Sequence, residues 1–111
     1  MSPRRSAALQ ASAPIFAALG DETRLSVVAR LADGGPASIT ELADGAEVTR
    51  QAVTKHLNVL SEAGLVTDFR RGRERVWKLR TRQLEEARRV LERVSKRWDD
   101  ALERLRALVE E

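Results

Sequence analysis

The chain has no cysteine and no tyrosine, one histidine, and only two tryptophans and two phenylalanines among its 111 residues. Without thiols it can form no disulfide, no thiolate metal site and no thiol redox switch. The single imidazole, His56, cannot build a histidine-rich metal site, and it reads as a packing and hydrogen-bonding residue rather than a ligand. Asp99, Asp100 and Glu103 are oxygen donors for a hard cation in principle, but three solvated acids on a charged helix explain them as well. No metal and no cofactor are expected. No apolar run approaches the roughly 20 residues that cross a bilayer. Arg4 and Arg5 precede an apolar stretch that Gln10, Ser12 and Pro14 interrupt, which makes a poor signal peptide. These absences favour a reducing, cytoplasmic setting without membrane attachment. Catalytic signatures are missing too: there is no glycine-rich phosphate loop, Ser26, Ser38, Ser61 and Ser95 stand isolated, and the paired Glu85 and Glu86 lie in a charge-rich stretch. No enzyme is expected.

What remains is charge, and it is unevenly placed. The net charge is only +3, yet the segment Thr49–Arg82 holds nine basic residues and three acidic ones, a net +6 that leaves −3 for the rest. Such asymmetry points to a polyanion meeting one part of the molecule, against the plainer reading of a solvated face. The length suits one domain with a modest core.

Helical and strand periodicities divide the chain into three parts. Residues 1–11, small and polar with two arginines, read as a flexible basic N-terminal arm. Residues 12–80 read as the body. Ser12 and Pro14 suit the first turn of a helix carrying Ile15, Phe16 and Leu19. Gly20 ends it, and Asp21 caps a second helix with Leu25, Val28 and Leu31 at helical spacing. After Gly34-Gly35-Pro36, Thr40 reads as the N-cap of a short third helix that Gly45 ends. Ala46-Glu47-Val48 forms a turn, and Thr49 caps a fourth helix running to about Ala63 before Gly64. Leu65–Phe69 and Arg75–Leu79 then read as two strands of a hairpin, joined by Arg70-Arg71-Gly72-Arg73-Glu74. Residues 81–111 read as one long final helix.

The fourth helix has the chemistry of a base reader. Ala52, Val53, Leu57 and Leu60 fall on one side. Arg50, Gln51, Thr54, Lys55 and Asn58 fall on the other, and no acid occurs from Arg50 to Ser61. Arginine and lysine can bond guanine O6 and N7, glutamine and asparagine can bond adenine N6 and N7, and threonine offers a methyl to thymine. Arg70, Arg71 and Arg73 at the hairpin tip can reach phosphates or the minor groove, although charge at a β-edge also guards against aggregation. Thr40 and Thr49 open helices whose free N–H groups can meet phosphate oxygens.

The final helix carries Leu84, Ala87, Leu91, Val94, Trp98, Ala101, Leu105 and Leu108 in alternating steps of three and four, the spacing of a heptad seam. At about 1.5 Å per residue it spans roughly 40 Å, more than a small body can cover. A homodimer is therefore expected, the alternative being a seam folded back on its own domain.

Gly20-Asp21-Glu22-Thr23-Arg24, the run from Val53 to Val66, and Arg71-Gly72-Arg73 before Val76-Trp77-Lys78-Leu79 resemble the ArsR family of winged-helix repressors. The resemblance covers roughly residues 14–80, and the tail helix with Trp98-Asp99 is similar to a cysteine-free branch. It implies a mainly α (α+β) fold: a winged helix-turn-helix with a two-stranded β-wing and a long C-terminal dimerisation helix. It also implies a symmetric dimer paired through the first and last helices, so that Ile15 and Phe16 join Leu91, Val94, Trp98, Ala101, Leu105 and Leu108 at the interface. Metal-sensing members carry cysteines in the third helix or His/Asp pairs in the last, and this chain has neither. The expected function is a homodimeric, sequence-specific repressor, with its own gene as one candidate target, on a near-palindromic duplex operator; the effector is unknown. Two other readings stay open: a winged-helix module that binds protein, and a repressor released by a small molecule held between tail and core.

Overall fold

The computed structural model describes residues 3–45 and 47–110, with side chains from Ala7 onward. Met1, Ser2, Ala46 and Glu111 lie outside them, and with them part of the expected arm and the first residue of the expected 46–48 turn. Five helices and three strands follow in the order α1 (Pro3–Leu19), α2 (Glu22–Gly34), β1 (Ala37–Ser38), α3 (Ile39–Ala43), α4 (Arg50–Glu62), β2 (Val66–Arg71), β3 (Glu74–Leu79) and α5 (Thr81–Glu110).

The helical body closes around Ile15, Leu31, Leu42, Val53, Leu57, Leu60, Leu65 and Trp77, with Ala87 of α5 on its edge. Burial of these side chains is the main driving force for the arrangement. The sheet has the order β1-β3-β2, antiparallel throughout. Its first strand is a two-residue addition to the expected hairpin, pairing Ala37 with Trp77 and Ser38 with Val76. Two residues carry no alternation, so periodicity could not reveal it. Strands β2 and β3 run further than expected, to the pair Arg71–Glu74, and Gly72 at φ 66° provides the backbone conformation that the tight connection requires.

Three expectations need correction. Helix α1 begins at Pro3, so residues 3–11, expected within a flexible basic arm, are helical. Proline is accommodated at the first helical position, and the alanine-, leucine- and arginine-rich stretch favours helix. Pro14 lies inside this helix, where it has no N–H for the Gln10 carbonyl; Gln10 is exposed. Second, Ile15 is only 3% exposed, within the chain's own core, so it is no interface residue; Phe16 is partly buried and packs against that core. Third, the cap of α3 is Ser38 and not Thr40. Ser38 Oγ accepts the Glu41 N–H at 3.1 Å and Glu41 Oε1 accepts the Ser38 N–H at 3.2 Å, a reciprocal capping box. Thr40 is instead the second residue of this five-residue helix, inside the first turn that Ser38 caps.

Candidate nucleic-acid interface

Helix α4 is held from behind and bare in front. Val53, Leu57 and Leu60 are fully buried, while Arg50, Gln51, Lys55 and Asn58 are exposed. Thr49 caps the helix by accepting the Ala52 N–H at 3.0 Å, as its sequence position implies. Thr54 is half-buried and its hydroxyl donates to the Arg50 carbonyl at 2.8 Å, so its methyl is the group left to face outward. The exposed row therefore combines two cations, two amides and a methyl. Glu62, the last residue of α4, is the one acid on this helix.

Preceding α4, Gly45 at φ 72° turns the chain after α3. Val48 packs beneath the turn against the core, and Arg30 of α2 donates to the Leu42 carbonyl at 3.2 Å. Val48 thus plugs the turn between α3 and α4, while the bonded carbonyl ties α3 to α2.

The wing presents its arginines unequally. Arg70 and Arg73 are exposed with no ion pair among the described residues. Arg71 lies 3.9 Å from Glu41, the capping acid of α3, so the wing leans on the short helix. Glu41 is held below the usual glutamate range chiefly by the Ser38 N–H, with Arg71 contributing less. Midway along the hairpin Arg75 bonds Asp68 at 2.5 Å and its guanidinium lies 4.6 Å from the Trp77 ring centroid. That bond keeps the Asp68 carboxyl below its ordinary value. Lys78 lies 5.4 Å from the Phe69 ring. Arg75 and Lys78 thus serve as struts, leaving Arg70 and Arg73 at the edge.

Two groups of residues escaped the sequence reading of the site. Ser38 and Glu41 matched a capping-box spacing, visible in Ser38-Ile39-Thr40-Glu41. Asp21, Arg24 and His56 meet behind α4, a junction of three elements that no local pattern announces. The distal seam residues of α5 are brought together on one open face: Leu91, Val94, Trp98, Leu105 and Leu108 are between 54% and 72% exposed. Ala101 is exposed among them. A groove of about 450 Å³ between α1 and α5 is lined by Leu9, Val90, Val94 and four charged residues. Among the described residues no helix is long and apolar enough to cross a membrane.

Comparison with known proteins agrees with this geometry. The pattern of a family described as a helix-turn-helix domain matches residues 19–68. The chain is 44% identical over 85 residues to the HTH-type transcriptional regulator Rv2034 of Mycobacterium tuberculosis, covering 77% of this chain and 76% of that protein. Its fold is similar to that of an ArsR-like transcriptional regulator from Rhodococcus sp. RHA1, at a TM-score of 0.74 and 36% identity over 89% of this chain and 92% of that one. It is also similar, at a TM-score of 0.64 and 25% identity, to a homodimeric winged helix-turn-helix DNA-binding domain from Mycobacterium bovis, covering 94% and 93% of the two chains. A fold and sequence shared with these regulators place the function in DNA binding and not in catalysis: the chain belongs to the ArsR family of helix-turn-helix transcriptional regulators.

Proposed function

We propose that the protein is a cytoplasmic homodimeric repressor in which α4 of each copy enters the major groove. Arg50, Gln51, Thr54, Lys55 and Asn58 supply base-edge and adjacent phosphate contacts, with the Thr49 end of the helix close to the backbone. Arg70, Arg71 and Arg73 hold the flanking strand from the wing. One observation carries this reading: the face of α4 opposite its fully buried side is exposed, cationic and amide-bearing over Arg50–Asn58. A surface helix without a polyanionic partner usually mixes charge signs.

The exposed seam of α5 supports the dimer. A contiguous leucine and tryptophan face of this size on a single copy is a poor surface to leave in water, and the Mycobacterium bovis neighbour is described as homodimeric. Two-fold symmetry calls for a near-palindromic operator with half-sites one helical turn, about 34–36 Å, or a multiple apart. A dimer seated there would exclude other proteins from the same promoter, which is repression by occupancy. The groove between α1 and α5 favours, as a second reading, release by a small molecule that alters how the two helices pack.

Selection of bound duplexes from random DNA at stated salt would define the operator. On that site Gln51→Ala or Asn58→Ala is expected to cost about 1–3 kcal/mol of discrimination at one base pair. Arg73→Ala is expected to weaken all sequences alike and reduce the salt slope by about one. A wild-type slope near zero would remove the phosphate contacts from the reading. A promoter–reporter fusion that rises when the protein is deleted would support repression, and one that falls would exclude it.

A further inference from the structure

We propose that Arg24 and His56 form a clamp that sets the roll of α4 about its own axis, and so govern how well the protein separates its operator from other DNA without touching DNA themselves. The inference rests on the major-groove reading of α4 and adds positioning residues that lie on the far side of the helix.

Arg24 stands where three helices meet. Its main-chain N–H donates to Asp21 Oδ2 at 3.0 Å, which fixes the start of α2. Its Nε donates to the carbonyl of Ala18, in the last turn of α1, at 2.6 Å. Its Nη1 lies 3.4 Å from His56 Nδ1, in the middle of α4. One planar, rigid group thereby ties α1 and α2 to the reader helix, a task suited to guanidinium because its donors are fixed relative to one another. Asp21 Oδ2 lies 3.9 Å from the same His56 nitrogen. Asp21 is held below the usual aspartate range, first by the Arg24 N–H and to a smaller extent by the Arg24 guanidinium.

The location explains why such a tie matters. At about 100° per residue His56 lies roughly 160° around the helix from Asn58. Val53, Leu57 and Leu60 anchor α4 to the core, but apolar burial is non-directional and resists translation better than a small roll. A roll of about 10° moves a side-chain tip at the helix surface by roughly 1 Å, more than the roughly 0.5 Å that a bonding constellation tolerates. Base-edge bonds would suffer first. Attraction of cations to phosphates, being long-ranged, would change little. The proposed clamp also assigns the tautomer: a guanidinium has donors only, so within the clamp His56 Nδ1 accepts and the proton of the neutral ring resides on Nε2, despite the Asp21 oxygen 3.9 Å from Nδ1.

The test uses full-length protein and the operator selected above, measuring the ratio of affinities for operator and scrambled duplex, together with thermal melting. His56→Phe keeps the ring size and removes the acceptor; His56→Asn returns an oxygen acceptor near the Nδ1 position. Arg24→Lys keeps the charge but replaces the fixed fork of donors facing Ala18 and His56 with one flexible ammonium. The expected result is a loss of about tenfold in the ratio for His56→Phe and for Arg24→Lys, about 1.4 kcal/mol. Binding to scrambled duplex should stay the same, His56→Asn should recover most of the ratio, and the double variant should be no worse than either single one. Nitrogen-15 spectra of the imidazole should show an unprotonated Nδ1 in the neutral ring. The proposal is overturned if His56→Phe keeps the ratio, if operator and scrambled duplex weaken equally, if the two losses add, or if the neutral ring carries its proton on Nδ1. Absence of any sequence preference in the wild type would instead defeat the major-groove reading itself.

Discussion

Helices α4 and α5 are both amphipathic, yet they end in opposite states. The apolar side of α4 is complete within the chain, with Val53, Leu57 and Leu60 fully buried. The apolar side of α5 is complete only as far as Ala87 and Val90; beyond them Leu91, Trp98, Leu105 and Leu108 are all more than half exposed. The same heptad-like spacing thus has two meanings. Where the body is at hand it builds the core. Where the helix outruns the body, in a molecule 66 Å long and 20 Å thin, it leaves an open apolar face, which the proposed dimer would cover with a second copy.

Breaking the α5 seam gives the largest expected effect. Trp98→Glu with Leu105→Glu places charge in the apolar stripe while touching none of the core side chains. The body should still fold, melting should lose its dependence on protein concentration, and operator affinity should fall by about 10²–10⁴ as the two half-sites cease to be bound by one linked object. Sedimentation of a persisting dimer would show that the seam is not the interface. The core side of the comparison predicts a different signature. Leu57→Ala should cost about 2–5 kcal/mol of folding stability, since a fully buried leucine leaves a cavity. At equal folded concentration its dimer should be as tight as wild type. A concentration-dependent defect in Leu57→Ala would mean that body and tail are not separable.

This division also decides what could be read from the amino-acid order. Both amphipathic helices, the Thr49 cap, the turn glycines and the hairpin announced themselves because each depends on residues within a few positions. The cap of α3 is Ser38, where the sequence also offers Thr40, although only Ser38 has Glu41 at the capping-box spacing. The resemblance places Ile15 at the interface, but a resemblance gives the pairing of helices and not which residue of the first helix faces outward, and here the chain's own core covers Ile15. Strand β1 depends on pairing with β3 some forty positions later. The meeting of Asp21, Arg24 and His56 likewise spans more than thirty positions, beyond any local period.

The smallest expected effect is also confined to one side of the comparison. Three carboxyls of the body are held below their ordinary values: Asp21 by the Arg24 N–H, Glu41 by the Ser38 N–H and Asp68 by its bond to Arg75. A lowered carboxyl binds protons less readily folded than unfolded. Its stabilisation is present above the ordinary values of 3.8 and 4.5 and is lost as pH falls through the lowered folded ones. Melting of the seam-broken monomer should therefore be level from pH 7 to about 5 and decline below about 4.5. Glu41→Gln should remove part of that decline, because glutamine retains an oxygen for the Ser38 N–H and has no proton to gain. The seam itself is apolar and contributes no such titration, so a monomer that melts identically at pH 7 and pH 3 would show that the caps and the wing pair do not hold the body together.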